Sequence, residues 1–235
     1  MLIEQRCYTL RLGATQAFWD AQRIRGEDGL APILQRLIGT WSAESGATDQ
    51  IVSLYRYDDF ADWETRLMGL YGKPELLPYF KAVRPLIVAQ KSSFLRPAPL
   101  DGLTPYWRKD ANWLPAGGFP VGAGPQSRDR HFEELTLTFS AGGVPACWKA
   151  LGDHGLNIDA TMQEGLRGVF SSIAGELNQV LIYRAFPDAA TAQRHRRELS
   201  GNAAWRAFVE VMAPLTVSST LRQLAASPVA DLSPP

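Results

Sequence analysis

Two short segments of the chain carry polar side chains at the alternating spacing of a β-strand. In "LIEQRCYTL", Glu4, Arg6 and Tyr8 fall on one face, because successive strand residues point to opposite sides. A carboxylate, a guanidinium and a phenol in a row can line a polar cavity, where the guanidinium would bind an anionic group. A structural ion pair between Glu4 and Arg6 accounts for the same residues, so both interpretations stay open.

The segment "QIVSLYRY" shows the same alternation. Its aliphatic residues Val52 and Leu54 suit the helix-covered face of a sheet. We therefore expect its polar residues on the other face of the sheet, beside the Glu4 row: Ser53, Tyr55 and Tyr57.

Three other residues were weighed as functional candidates. Trp41, in "GTWSAE", is a candidate cavity wall, although a tryptophan in a strand more often belongs to the core. His131 lies beside Glu133 in one strand, as a base with an orienting carboxylate would, although a surface histidine is the commoner case. His195, in "RHRRE", is assigned to a solvated helix face. The chain lacks metal-ligand spacing and phosphate-binding glycine motifs, so we predict no metal and no cofactor.

The composition is that of a globular domain protein rather than a nucleic-acid or membrane protein. The 235 residues carry a formal net charge of +0, 46% are hydrophobic, and no apolar run approaches the length of a membrane span. Cys7 and Cys147 share no spacing typical of a disulfide framework or a metal site, and we interpret them as free thiols. A cytoplasmic location is the resulting prediction, with no nucleic acid and no membrane as partner.

An internal repeat organises the chain. Gly39 and Gly168 lie 129 positions apart, and the same offset without a gap pairs Trp19 with Trp148. The repeat predicts two units, at 1–97 and 130–226. The segment between them, 98–129, is rich in Pro and Gly and is predicted to be a linker that is ordered in part. The tail, 227–235, is predicted to be disordered.

Each unit is predicted to follow the order β-α-β-β-α-β, which is the ferredoxin-like arrangement. The fold class is therefore α+β. A sheet of this kind has helices on one face, and its other face needs a cover. Two such sheets in one chain can cover each other, which predicts an intramolecular assembly of the dimeric α/β-barrel type with a cavity between the sheets.

Several motifs resemble the NIPSNAP family. "GTWSAESG" followed by "IVSLYRYDDFADW" resembles its Gly–Trp–Thr–Glu–Gly pattern and the apolar strand after it, and "LNQV" resembles its Leu–Asn–x–Val stretch. The resemblance covers both units and implies the dimeric α/β-barrel superfamily, which includes cofactor-free monooxygenases. A histidine that the family often has in its third strand is replaced here by Ser53, and any role of that histidine is not carried over.

Two functions remain open at this stage. In the first, the chain binds a small apolar or aromatic molecule, anionic or neutral, in the barrel cavity, as a cofactor-free oxygenase or an isomerase/lyase would. The second is a non-catalytic scaffold whose barrel is filled by side chains. Further assembly into a homo-oligomer is left open. The first function assigns the ligand to seven candidate residues: Glu4, Arg6, Tyr8, Trp41, Ser53, Tyr55 and Tyr57.

Overall fold

The computed structural model describes residues 1–25, 30–104 and 131–232. By residue contacts they divide into unit 1 (1–94 and 224–232) and unit 2 (95–104 and 131–223). The repeat-based boundaries therefore differ from the contact-based division mainly at the strand ends. The glycine-rich part of the predicted linker and the "GEDG" stretch lie outside the described residues.

The first eight elements follow the order predicted for one ferredoxin-like repeat. In chain order they are β1 (Leu2–Leu10), α1 (Thr15–Arg23), α2 (Ala31–Leu34), β2 (Leu37–Ala43), β3 (Gln50–Tyr57), α3 (Phe60–Tyr71), α4 (Leu77–Val83) and β4 (Ile87–Pro97). Short 3-10 turns precede and follow α4. The helix predicted over "LAPILQRL" is a single turn, because strand β2 already begins at Leu37.

The second repeat has the same order of elements. They are β5 (His131–Phe139), α5 (Gly143–Asp153), α6 (Ala160–Gln163), β6 (Leu166–Ala174), β7 (Gln179–Phe186), α7 (Ala189–Gly201), α8 (Ala203–Met212) and β8 (Thr216–Ala226). The predicted fold class, α+β with two tandem ferredoxin-like units of the dimeric α/β-barrel type, is confirmed.

The repeat extends to single backbone conformations. Asp49 and Asn178 end the two equivalent hairpin loops and both have positive φ, 52° and 60°. Asp and Asn tolerate this left-handed region better than other non-glycine residues. In unit 1 the Asp49 carboxylate also accepts hydrogen bonds from the Gly13 amide (3.0 Å) and the Thr15 hydroxyl (2.8 Å), which ties the β3 hairpin to the start of α1.

Equivalent aspartates begin the long helices. The Asp59 carboxylate accepts a hydrogen bond from the Asp62 amide (2.9 Å), and the Asp188 carboxylate accepts one from the Thr191 amide (2.7 Å). Each satisfies an amide that has no partner inside its helix. Asp59 is therefore the N-cap of α3, and Asp188 is the N-cap of α7.

In unit 1, strand β3 pairs in antiparallel fashion with β1 on one side and β2 on the other. The outer side of β2 pairs with the last residues of β8, Trp41 opposite Ala226. The chain after β8 stays folded: Ala230–Leu232 form a 3-10 turn, and Leu232 is 4% exposed. This corrects the expectation of disorder from Ser227 onward, at least as far as Leu232, because an apolar side chain anchors the segment.

Within the described ranges, none of the helices combines the length and the hydropathy needed to cross a bilayer.

The two cysteines are thiols and form no disulfide with each other, with Cys147 buried and Cys7 half-buried.

The strand pairing predicts how an isolated first repeat behaves. A fragment of residues 1–97 lacks the β8 residues that pair with β2, so it exposes an unpaired strand edge. We expect this fragment to form dimers or larger aggregates in size-exclusion chromatography with light scattering. A monomeric fragment with the circular dichroism expected of the folded repeat would contradict this expectation.

Candidate functional site

The polar row on β1 and β3 faces the helices of unit 1. The Trp63 indole, on α3, donates a hydrogen bond to the Glu4 carboxylate (3.1 Å), and Tyr8 packs against Phe18 of α1 with ring centroids 6.1 Å apart. The expectation that this row faces away from the helices, into a barrel cavity, was wrong. Val52 and Leu54 on the opposite face are also buried. The hydrophobic pattern therefore separates the residues of the two faces, but it does not show which face the helices cover.

Glu4 is the centre of a saturated hydrogen-bond network. Its carboxylate accepts two hydrogen bonds from Arg6, from Nε (3.0 Å) and Nη2 (2.7 Å). Trp63 and the Ser92 hydroxyl (2.8 Å) supply two more. With 0% exposure and four donors, Glu4 is a positioning residue for Arg6 rather than a free base.

A cavity of about 110 Å³, the unit 1 cavity, lies between the sheet and the helices of unit 1. Its sheet wall includes Arg6, Tyr8, Thr40, Ser53 and Tyr55, and its helix wall includes Phe18, Gln22, Leu67, Tyr79 and Phe80. Tyr71 and Arg84 are lining residues that are exposed, and they mark where the cavity reaches the surface. Leu232 is also a lining residue.

The cavity presents hydrogen-bond donors to its interior. Arg6 is 5% exposed, and Glu4 takes two of the five N–H donors of its guanidinium. Gln22 accepts a hydrogen bond from Tyr79 (3.2 Å) through Oε1, but its buried Nε2 has no partner among the described residues. An unsatisfied buried donor costs about 1–3 kcal/mol, so this amide is suited to a ligand acceptor.

The phenols of Tyr8, Tyr55 and Tyr79 in the cavity are neutral at physiological pH. Burial raises the pKa of Tyr79 to about 12, and burial also raises the pKa values of Tyr8 and Tyr55. The Arg6 guanidinium lies over the Tyr55 ring, 4.9 Å from its centroid. Among the described lining residues there is no carboxylate and no histidine. The cavity can therefore stabilise negative charge, but it offers no ordinary side-chain base.

Four of the seven candidate residues line the unit 1 cavity: Arg6, Tyr8, Ser53 and Tyr55. Glu4 and Tyr57 lie on the same face of the sheet as these four residues but are not among the lining residues of the cavity. The Tyr57 ring stacks on the Tyr55 ring, with centroids 6.3 Å apart. Trp41 pairs with Val52 and so lies on the opposite face of the sheet, buried. The structure therefore gives no support to Trp41 as a wall of this cavity.

Sequence reasoning missed Gln22 and Tyr79. Gln22 lies in α1 and Tyr79 lies in α4, and neither was among the candidate residues. The repeat held a signal, because the residues 129 positions later are Leu151 and Phe208. Where one repeat has a polar residue and the other repeat has an apolar residue at the equivalent position, the two halves have different environments.

Unit 2 carries apolar side chains at several positions that are polar in the unit 1 cavity. Leu135 and Leu137 replace Arg6 and Tyr8, and Leu137, Leu151 and Phe208 belong to one buried core cluster. Glu133 retains the carboxylate of Glu4. It binds Arg196 of α7 and lies 3.2 Å from the Nε2 atom of His131, so the predicted closeness of His131 and Glu133 is present. The arginine that neutralises the glutamate thus comes from the strand in unit 1 and from the helix in unit 2.

The described residues contain no group of three or more His, Cys, Asp or Glu side chains that could hold a metal ion.

The different source of arginine in the two units predicts a compensating pair of substitutions. Arg6→Leu leaves the buried Glu4 carboxylate without its cation and should destabilise the protein by about 3–5 kcal/mol. Leu67 occupies the position in α3 that Arg196 occupies in α7. We expect Arg6→Leu/Leu67→Arg to regain at least half of the loss in urea denaturation. Additive effects of the two substitutions would contradict the assigned equivalence.

Gln22 and Tyr79 predict a second pair. Gln22→Leu/Tyr79→Phe removes both hydrogen-bonding partners and copies Leu151 and Phe208. Replacing both partners with apolar groups is close to neutral or stabilising, whereas Gln22→Leu alone leaves a buried hydroxyl unpaired. We expect the double variant to equal or exceed the wild type in free energy of unfolding and to exceed the single variant by about 1–3 kcal/mol. A double variant less stable than the single variant would overturn this expectation.

Comparison with solved structures identifies the fold. A putative monooxygenase from Fusobacterium nucleatum subsp. nucleatum is 9% identical, covers 96% of this chain and 92% of that chain, and has a TM-score of 0.61. A putative monooxygenase from Lactobacillus acidophilus NCFM is 9% identical, covers 96% of both chains, and has a TM-score of 0.58. At these identities the likeness concerns the fold alone.

A NIPSNAP-like domain protein from Burkholderia xenovorans is 30% identical, covers 46% of this chain and 96% of its own, and has a TM-score of 0.40. None of the curated proteins matches the chain significantly. The NIPSNAP family model matches twice, at residues 3–100 and 132–231. Because these two matches span most of the sequence, the chain belongs to the NIPSNAP family.

Proposed function

We propose that the protein binds a small organic anion in the unit 1 cavity and stabilises negative charge on an oxygen atom of that ligand. The observation that carries this proposal is the one-sided polarity of the cavity. It combines a buried arginine, a buried amide N–H without a partner and neutral phenols, with no acidic group among its described lining residues. Charge-assisted hydrogen bonds from a buried guanidinium favour a carboxylate or an enolate.

The volume restricts the ligand. About 110 Å³ is below the roughly 300–1,000 Å³ of pockets for drug-sized ligands, and also below the roughly 150 Å³ of an engineered cavity that holds benzene. We infer that the charged group enters toward Arg6 and that a single ring extends toward the mouth at Tyr71 and Arg84. Arg84 at the mouth also favours the approach of an anion.

The lining residues suit one class of chemistry. Stabilising an enolate or a phenolate is the step that a cofactor-free oxygenase or an isomerase/lyase needs from its protein. Because the cavity lacks an ordinary base, the substrate would have to be acidic enough to bind as an anion, or lose its proton to water. A substrate that requires a strong side-chain base does not fit this site.

The second candidate function is a non-catalytic scaffold. The small volume of the unit 1 cavity favours it. In that case, the donors around Gln22 would serve ordered water, and organic anions would bind no better than their neutral analogues.

Calorimetric titration with benzoate tests the proposal. We expect benzoate to bind at least tenfold more tightly than benzamide, because a hydrogen bond to a charged group contributes about 1.5–3 kcal/mol. Binding of 1-naphthoate should be weaker than that of benzoate because of its size. The double variant Gln22→Leu/Tyr79→Phe should weaken benzoate binding about tenfold or more.

Arg23→Gln is the matched control, because it removes an exposed charge from the same helix as Gln22. It should leave benzoate binding unchanged. Equal binding of benzoate and benzamide by the wild type would favour the scaffold instead.

A further inference from the structure

Unit 2 contains a cavity of its own, at a position that overlaps the repeat equivalent of the unit 1 cavity, since Leu135, Ile182 and Leu199 correspond to Arg6, Ser53 and Leu70. It has a volume of about 220 Å³, and we call it the unit 2 cavity. Its apolar wall consists of Leu135, Ile182, Leu199, Trp205 and Leu221. Its polar lining residues are Glu133, Arg184, His195, Arg196 and Ser200. The volume exceeds the roughly 150 Å³ that accommodates benzene in an engineered apolar cavity.

The polar lining residues other than His195 have partners. Arg196 and His131 bind Glu133. Arg184 donates to the carbonyl oxygens of Met162 (2.7 Å) and Glu164 (2.8 Å), and the Ser200 hydroxyl donates to the carbonyl of Arg197 (2.8 Å). These groups are held by the protein itself.

His195 is different. It is 0% exposed and packs against Phe186 with ring centroids 5.1 Å apart. Its Nε2 lies 2.9 Å from the carbonyl oxygen of Thr161, so Nε2 carries the proton and donates it to that oxygen. Its Nδ1 atom is then an acceptor, and it has no hydrogen-bond partner among the described residues. Burial, with a contribution from Arg184, lowers the pKa of His195, which agrees with a neutral ring.

We infer that the unit 2 cavity binds a small neutral molecule with an apolar body and one hydroxyl donor, such as a phenol, and that the hydroxyl donates to His195 Nδ1. A buried acceptor without a partner is unfavourable, and a hydroxyl would satisfy it. The aliphatic and indole wall suits a single ring. The two units thus differ in polarity, since the unit 1 cavity offers donors to an anion and the unit 2 cavity offers one acceptor to a hydroxyl group.

The test compares phenol with toluene, which has the same shape without the donor. Saturation-transfer NMR with the full chain measures both affinities. We expect the wild type to bind phenol about tenfold more tightly than toluene, as a satisfied buried acceptor implies. His195→Phe keeps a planar ring at this position and removes the imidazole acceptor. In this variant phenol should bind no better than toluene.

Leu221→Trp keeps His195 and fills the cavity, so it should weaken the binding of both compounds about tenfold or more. It also provides a result if His195→Phe fails to fold. The unit 1 variant Gln22→Leu/Tyr79→Phe serves as the control and should leave phenol binding unchanged. The control therefore distinguishes a failure of the proposed unit 2 site from a failure of the proposed anion site in unit 1.

Equal affinities for phenol and toluene in the wild type would overturn the inference, as would the absence of binding by either compound. Loss of phenol binding in the unit 1 variant, with binding retained in His195→Phe, would also overturn it, because phenol would then occupy the unit 1 cavity.

Discussion

The ion pair between Glu4 and Arg6 is the constraint on which the unit 1 cavity depends. A carboxylate with 0% exposure is tolerated because Arg6, Trp63 and Ser92 satisfy it. In turn, the carboxylate fixes the guanidinium on the strand, where it lies over Tyr55 and borders the cavity. Unit 2 retains the glutamate but takes its arginine from helix α7, and its strand can then carry leucine at the same place. The change from arginine to leucine on the strand thus accompanies the relocation of one cation to the helix.

The two halves share an order of elements and differ in the side chains that those elements carry. The loops that end at Asp49 and Asn178, the caps at Asp59 and Asp188 and the order of elements are the same in both units. The side chains on the helix-covered face are not. The turns and caps follow from local backbone geometry. A buried polar side chain, in contrast, can be replaced if its hydrogen-bonding partners are replaced with it.

Much of the fold was predictable from the sequence, because each repeat follows local rules. Strand alternation and the 129-residue offset predicted the β-α-β-β-α-β order. The cavity was less predictable. The period-two alternation predicts that Arg6 and Ser53 share one face of the sheet. It does not predict which face the helices cover, because residues on both faces are buried. His195 was assigned to solvent from its charged neighbours, although Ala192, His195 and Leu199 have the spacing of a buried helix stripe, and the structure buries all three.

The central claim is that Arg6 is at once the partner of Glu4 and the anchor of an anion, and a crystal structure of the protein with benzoate tests it most directly. The account predicts the benzoate carboxylate within hydrogen-bonding distance of the Arg6 guanidinium and of Gln22 Nε2, with the Arg6–Glu4 pair intact and the ring directed toward Tyr71 and Arg84. Benzoate bound at Arg84 on the surface alone, with water beside Gln22, would contradict it.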